Sequence, residues 1–230
     1  MESNENAFMG PCICRVHNYY MKGDGSISNP ANDIFYQAAF VWNELTEYKY
    51  IFTYGHKNKL STINLTFSPE DFPHLMGFQY LKDLSLPRYN QGKIVSRILD
   101  GAISLEQIQK GEQYKKMVLP RLEALTRLKD ILENDFNLFS YMPRMYPFYT
   151  QIKADYLISV HADITSYVFL LQSKIDGTAQ GDHLCCSAFR QAERDYEKNQ
   201  QLRVLLKKER IHIPDNTSTI LLDRLVKQQL

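Results

Sequence analysis

Residues 47–83 constrain the fold more than any other stretch. Tyr48, Tyr50, Phe52 and Tyr54 recur at every second position. After the polar turn Gly55-His56-Lys57-Asn58-Lys59, Ile63, Leu65 and Phe67 alternate with Thr62, Asn64 and Thr66. Period-two runs of aromatic and β-branched residues around such a turn predict a β-hairpin with one buried face. Ser68-Pro69-Glu70-Asp71 then predicts a helix start: Ser as N-cap, Pro at the first helical position, acids at the positive end of the macrodipole. That helix delivers His74, followed by Leu75, Gly77, Phe78, Leu81 and Lys82.

Around this stretch the pattern is mostly helical until residue 134. Ile34, Phe35, Ala38, Ala39, Val41, Trp42 and Leu45 are spaced for a helix with Asn29 or Asn32 as cap and Trp42 in the core. Lys93–Asp100 reads as a short helix closed by Gly101. Ser104-Leu105-Glu106-Gln107 reads as a capping box whose helix ends at Gly111. Pro120 to Asn134 forms one amphipathic helix with Leu122, Leu125, Leu128 and Leu132 inward. Residues 138–153 hold two Pro and five aromatics and read as a loop. Four strands follow, at 156–161, 166–174, 183–190 and 202–213, joined around a Gly-containing turn at 175–182 and a hydrophilic stretch at 191–201. This spacing predicts an antiparallel meander.

The expected fold is therefore α+β: an antiparallel sheet, made of the hairpin and the C-terminal meander, with helices packed on one face. Residues 1–29 read as an irregular arm, 30–213 as the domain, and 214–230 as a tail. Ile220, Leu221, Leu225 and Val226 predict an amphipathic helix there, docked on the domain or on a partner.

Composition narrows the function classes. The net charge is +1, which excludes a highly basic nucleic-acid coat. The first fifty residues hold six acids and three bases, so the remainder carries 24 bases against 20 acids, a slight lean toward anionic partners. Cys12, Cys14, Cys185 and Cys186 show no C-x-x-C spacing, and no phosphate-loop, calcium-loop or zinc-finger pattern occurs. Cys12 and Cys14 are a minor metal candidate, whereas Cys185 and Cys186 read as strand residues. No run of 18 apolar residues and no signal pattern is present, so the expectation is a cytoplasmic protein with free thiols and no membrane partner.

The order of tyrosine-rich hairpin and F-S-P-E-D-F-P-H-L-M-G-F-Q-Y-L-K-D resembles the phage-borne barnase–EndoU–colicin–RelE-like (BECR) nucleases, the fourth family of that series. S-Y-V-F-L-L-Q-S-K, C-C-S-A-F-R, D-Y-E-K-N-Q and V-L-L-K-K-E extend the likeness over roughly residues 30–212. The resemblance implies a metal- and cofactor-independent ribonuclease that activates the ribose 2′-hydroxyl to attack its own phosphate. RNA is the implied partner, with a cognate immunity or host protein as a further one. Such chemistry needs a base, an acid and cations about the phosphate. His74 is the first candidate for proton transfer and Lys82 for the phosphate beside it. Ser187 and Arg190 are candidate phosphate contacts on one strand, and Tyr196 matches the family's Tyr before the last strand. Arg203, Lys207 and Lys208, from the basic run 203–210, are candidates for lining an RNA path. Period two places Lys208 with Arg210 on one face and Lys207 with Glu209 on the other. His161 and His183 stand at strand ends without a motif.

A second reading is a non-catalytic inhibitor or adaptor on the same scaffold. It predicts an exposed apolar patch involving Leu221, Leu225 and Val226. The nuclease reading predicts that His74, Lys82, Ser187 and Tyr196 converge in one cleft.

Overall fold

The computed structural model describes residues 20–21, 27–28, 32–87, 89–145, 147, 149–175 and 178–225. Most of the predicted arm, with Cys12 and Cys14, lies outside these residues. Within it, β1 (Tyr20–Met21) and β2 (Ile27–Ser28) pair antiparallel.

Helix α1 (Ile34–Leu45) begins at Asp33, whose carboxylate accepts from the amides of Phe35 and Tyr36, both at 3.0 Å. The cap is thus Asp33 rather than Asn29 or Asn32. Phe35, Ala38, Ala39, Trp42 and Leu45 form its buried stripe, as their spacing predicts. The Trp42 indole N–H donates to the Ser68 carbonyl at 3.0 Å, which fixes α1 against the chain leaving the hairpin.

The hairpin is present as β3 (Tyr48–His56) and β4 (Lys59–Thr66). Lys57 and Asn58 turn it with φ of 47° and 60°, the doubly left-handed geometry that matches strand twist. Tyr50, Phe52, Tyr54, Ile63 and Leu65 are buried on one face. Ser68 caps the 3-10 turn Pro69–Asp71 as expected, and α2 (Phe72–Met76) follows. Gly77 ends α2 at φ 95°, a conformation that L side chains rarely adopt.

Helices α3 (Ile94–Leu99) and α4 (Leu105–Gln109) follow, the latter with the full Ser104–Gln107 capping box. The predicted helix 120–134 is two helices, α5 (Leu119–Leu125), entered by a π turn at Tyr114–Val118, and α6 (Leu128–Glu133). They part at Thr126, whose hydroxyl turns back to the Glu123 carbonyl at 3.1 Å.

The remaining strands are β5 (Asn137–Ser140), β6 (Tyr156–Val160), β7 (Ser166–Ile175), β8 (Thr178–Arg190), β9 (Gln201–His212) and β10 (Thr217–Asp223). Residues 138–140 are therefore strand where a loop was expected. The meander holds for β6–β7–β8, but β9 does not extend it. Instead β8 pairs in parallel with β4, Asn64–Thr66 against Asp182–Leu184, and β9 pairs with β3. Leu138–Ser140 then pair with Gln201–Arg203 and close a mixed, mostly antiparallel seven-stranded barrel.

The described part of the tail, 214–225, holds a strand where a helix was expected, and Val226 lies outside the described residues. Asp215 accepts from the amide and hydroxyl of Thr217 at 3.0 and 2.7 Å, and Asn216 has φ 56°, so the chain turns back and β-branched Thr217, Thr219 and Ile220 continue as β10 on β9. Leu221 and Leu222 pack on the core.

Two cores result from the alternation along the meander. Ile158, Val168, Leu170 and Ala188 join the main core beneath the helices. Leu157, Tyr167 and Phe169 join a second, aromatic core with Phe139, Tyr141 and Tyr196. That second face of the meander carries most of the polar chemistry described next.

Candidate functional site

Register assembles the face. Ser187 lies opposite Phe169, which lies opposite Leu157; two residues on, Phe189 lies opposite Tyr167, which lies opposite Ser159. The row from β8 to β6 spans about 10 Å at ordinary strand spacing. Tyr196, buried, sets its ring 5.4 Å from Phe169 and Phe189 and 5.5 Å from Tyr167. Its side chain thus anchors the segment after β8 onto the aromatic core. Burial and the Asp195 carboxylate, whose Oδ1 accepts from the Tyr167 hydroxyl at 3.5 Å, hold the Tyr167 phenol well above its ordinary range.

That anchoring stations the next residue, Glu197. Its Oε1 accepts from the buried Ser159 hydroxyl and lies 2.9 Å from His161 Nε2. His161 follows β6, and its Nδ1 lies 3.2 Å from Thr165 Oγ1 across the β6–β7 turn. A carboxylate thus holds one nitrogen of an imidazole whose other nitrogen faces a hydroxyl, the relation that orients a general base. His161 is exposed, with 55% of its side chain open.

Guanidinium groups flank this pair. Arg190 ends β8 opposite Ser166 and grips Glu123 of α5 at 3.0 and 3.3 Å. The Gln191 amide donates to the Thr165 carbonyl at 2.8 Å, tying the end of β8 to the His161 turn. A cleft of about 320 Å³ opens there, lined in part by Ser166, Ile164, Arg190, Glu123 and Arg127. Arg121, two residues before Glu123, donates to the Ser187 hydroxyl at 3.1 Å and to the Tyr80 hydroxyl at 3.4 Å. Its guanidinium lies 5.3 Å from the Tyr80 ring centre and 5.6 Å from that of Phe189. Among the described residues no carboxylate pairs with it, so a fixed cation faces only neutral partners. Gly77 permits this approach: a β-carbon there would lie 3.2 Å from Arg121 Cδ.

The structure thus brings Ser187, Arg190 and Tyr196 to one region. His74 is exposed on α2 and lines a different groove, with Pro73, Phe78 and Pro87. Lys82 is exposed on the turn beyond. Neither contributes to the meander face, so the expected convergence of all four residues is not what the geometry displays.

The basic run divides as its periodicity predicts, but with different consequences. Lys208 is not on an RNA path: it is buried, donating to the carbonyls of Leu132 at 3.4 Å, Glu133 at 3.1 Å and Asn134, with its ammonium 4.8 Å from the Phe136 ring centre. It closes the C-terminal end of α6, and burial lowers its pKa. Lys207 pairs with Glu209 at 3.0 Å. Arg203 donates to Ser140 Oγ at 2.7 Å and contacts His56 Nδ1 at the barrel end, beside the Tyr54–Tyr156 hydroxyl pair at 2.7 Å. Desolvation and the Arg203 charge keep His56 below the usual imidazole range.

Sequence reasoning missed Arg121 and Glu197 and left His161 without a role. Arg121 reads as one charge of a solvated helix face. Glu197 stands next to Tyr196 in a matched motif, which is the one signal that points to it.

Together these features define an α+β protein with an oriented imidazole and fixed guanidinium groups on the face of a β-meander. Among the described residues no helix is long and apolar enough to cross a membrane, and no group of three or more His, Cys, Asp or Glu is placed to hold a metal ion. Residues 34–225 match the family described as phage-Barnase-EndoU-ColicinE5/D-RelE like nuclease4, and the chain belongs to that nuclease family. No curated protein and no solved structure matches it.

Proposed function

We propose that this protein is an endoribonuclease that cleaves RNA by attack of the ribose 2′-hydroxyl on the adjacent phosphodiester, with no metal in the step, in a toxin or phage–host conflict role. The observation that carries the reading is the Glu197–His161–Thr165 relation on an exposed turn, within a chain of a nuclease family. Thr165 Oγ1 marks where a substrate hydroxyl would meet His161 Nδ1. His161 takes the 2′-proton as the O2′–P bond forms. The P–O5′ bond breaks, and the leaving oxygen takes a proton from solvent water, giving a 2′,3′-cyclic phosphate and a 5′-hydroxyl. Arg121, with Ser187, supplies positive charge and a hydroxyl toward phosphates along the strand, and Arg190 would join them on exchanging Glu123 for a phosphate. Glu197 acts as the orienting carboxylate and Tyr196 as its anchor.

The test is cleavage of a defined RNA with EDTA present, by wild type, His161→Gln and His74→Ala, each shown to be folded. Cyclic-phosphate ends that persist in His74→Ala and fall at least 100-fold in His161→Gln are expected, the scale of one general acid–base group. The converse pattern moves the site to α2, and a wild type that cleaves no RNA refutes the reading.

One observation favours the alternative of a protein-binding module. Ile213 and Ile220, around the β9–β10 turn and on β10, are 53% and 57% exposed. A partner captured in solution and lost on Ile220→Asp, together with inactivity on RNA, would establish it.

A further inference from the structure

The H-L-M-G segment and Lys82, which the meander face does not use, lead to a second site. Residues 84–87 and Tyr89, with Arg97 of α3 and Gln107 of α4, line a cleft of about 490 Å³, within the range of small-molecule sites. Leu84, Leu86 and Ile103 make its apolar walls. The Arg97 guanidinium lies 5.5 Å from the centre of the Tyr89 ring, and that residue remains 67% exposed. Lys110 lies on the same rim. Among the described residues neither Arg97 nor Lys110 pairs with a carboxylate.

The cleft is built rather than incidental. Asp83 Oδ2 accepts from the Glu112 amide at 2.9 Å, pinning the turn after Lys82 to the end of α4. At Gly111 a β-carbon would fall 2.4 Å from Leu81 Cδ2 and 3.3 Å from Leu84 Cδ1, so any larger residue here would have to push the Leu81 side chain aside. The His74 groove adjoins the cleft through Pro87, which lines both.

We infer that this cleft binds a nucleotide. Its base stacks on Tyr89 over the apolar wall, and its phosphate meets Arg97 and Lys110. An aromatic platform with cations beside it is the arrangement that holds single nucleotides without reading sequence. The nucleotide is either free or part of an RNA chain. The inference does not depend on cleavage at His161.

Calorimetric titration of the full chain with adenosine 5′-monophosphate, with a 2′-O-methyl tetranucleotide that cannot be cleaved, and with inorganic phosphate tests it. Tyr89→Ala and Lys110→Gln, with folding checked by circular dichroism, are the variants. Binding of either nucleotide ligand, weakened about 5- to 100-fold by Tyr89→Ala, supports the site. Uptake of the monophosphate identifies a free nucleotide, and uptake of the tetranucleotide alone identifies a nucleotide within RNA. Absence of binding overturns the proposal, as does inorganic phosphate binding as tightly as the nucleotides with no effect of Tyr89→Ala. A chain that binds nucleotides here yet cleaves no RNA refutes the nuclease reading and leaves this one standing.

Discussion

At the scale of single residues, the informative groups are those whose neighbours leave them one task. Glu197 shares one oxygen between Ser159 and His161, so its role is to position the imidazole. Glu197→Gln should lower kcat with little change in KM and alter the pH profile, because an amide oxygen orients the ring without stabilising its charge; an unchanged profile would leave Glu197 as packing alone. Lys208 has the opposite character, being committed to the carbonyls that end α6. Lys208→Ala should cost about 3 kcal/mol in urea denaturation, since buried carbonyls lose an ionic donor. His183 is buried, which lowers its pKa and keeps it neutral. A group depressed in the folded state contributes stability above its unfolded pKa. That contribution should therefore be lost as pH falls below about 6.5 toward the lower folded value, seen as a falling Tm.

At the scale of elements, local chemistry was largely legible and neighbour relations were not. The stripe Phe35–Leu45, the alternation Tyr50–Tyr54 and the Ser104–Gln107 box each satisfy their backbone within a few residues, so spacing suffices to find them. The break at Thr126 was missed because Leu122, Leu125, Leu128 and Leu132 keep helical spacing across it. The tail was misread because Ile220, Leu221 and Leu225 suit a helix until the Asp215–Thr217 turn offers β9 as a partner. In the candidate site, Ser187, Arg190 and Tyr196 were legible through motifs. Arg121 and Glu197 acquire meaning only from what folding places opposite them. Gly77 links the two levels, since its φ of 95° both ends α2 and admits Arg121. Gly77→Ala should destabilise by about 1–3 kcal/mol and displace Arg121 from Ser187, measurable as lost stability with weakened RNA binding.

At the scale of the molecule, the barrel is sealed along an uneven edge. One side of β9 is covered by β5 at residues 201–203 and by β10 at residues 207–212. Removing residues 217–230 should expose that edge and yield dimers or aggregates in light scattering; a stable monomer would contradict this role for β10. The barrel also buries phenols that must stay neutral. Burial, with Glu133 beside Tyr50, Tyr54 beside Tyr156 and Asp195 beside Tyr167, raises all three above their ordinary value near 10. Raised folded-state values mean stability that is full below pH 10 and lost as pH climbs toward them. Tm should decline above pH 10, with late tyrosine absorbance at 295 nm appearing only on unfolding.

The placement of β9 has a consequence for how such a chain is made. Strand β3 leaves the ribosome early, but its partner along one edge is completed only at His212. The segment bearing Glu197 is synthesised just before that partner. Neither barrel closure nor the oriented imidazole can exist before the Glu197 segment and β9 have been synthesised. An enzyme with the proposed activity would therefore stay inert beside its own messenger until residues 197–212 have been made, a delay set by strand order.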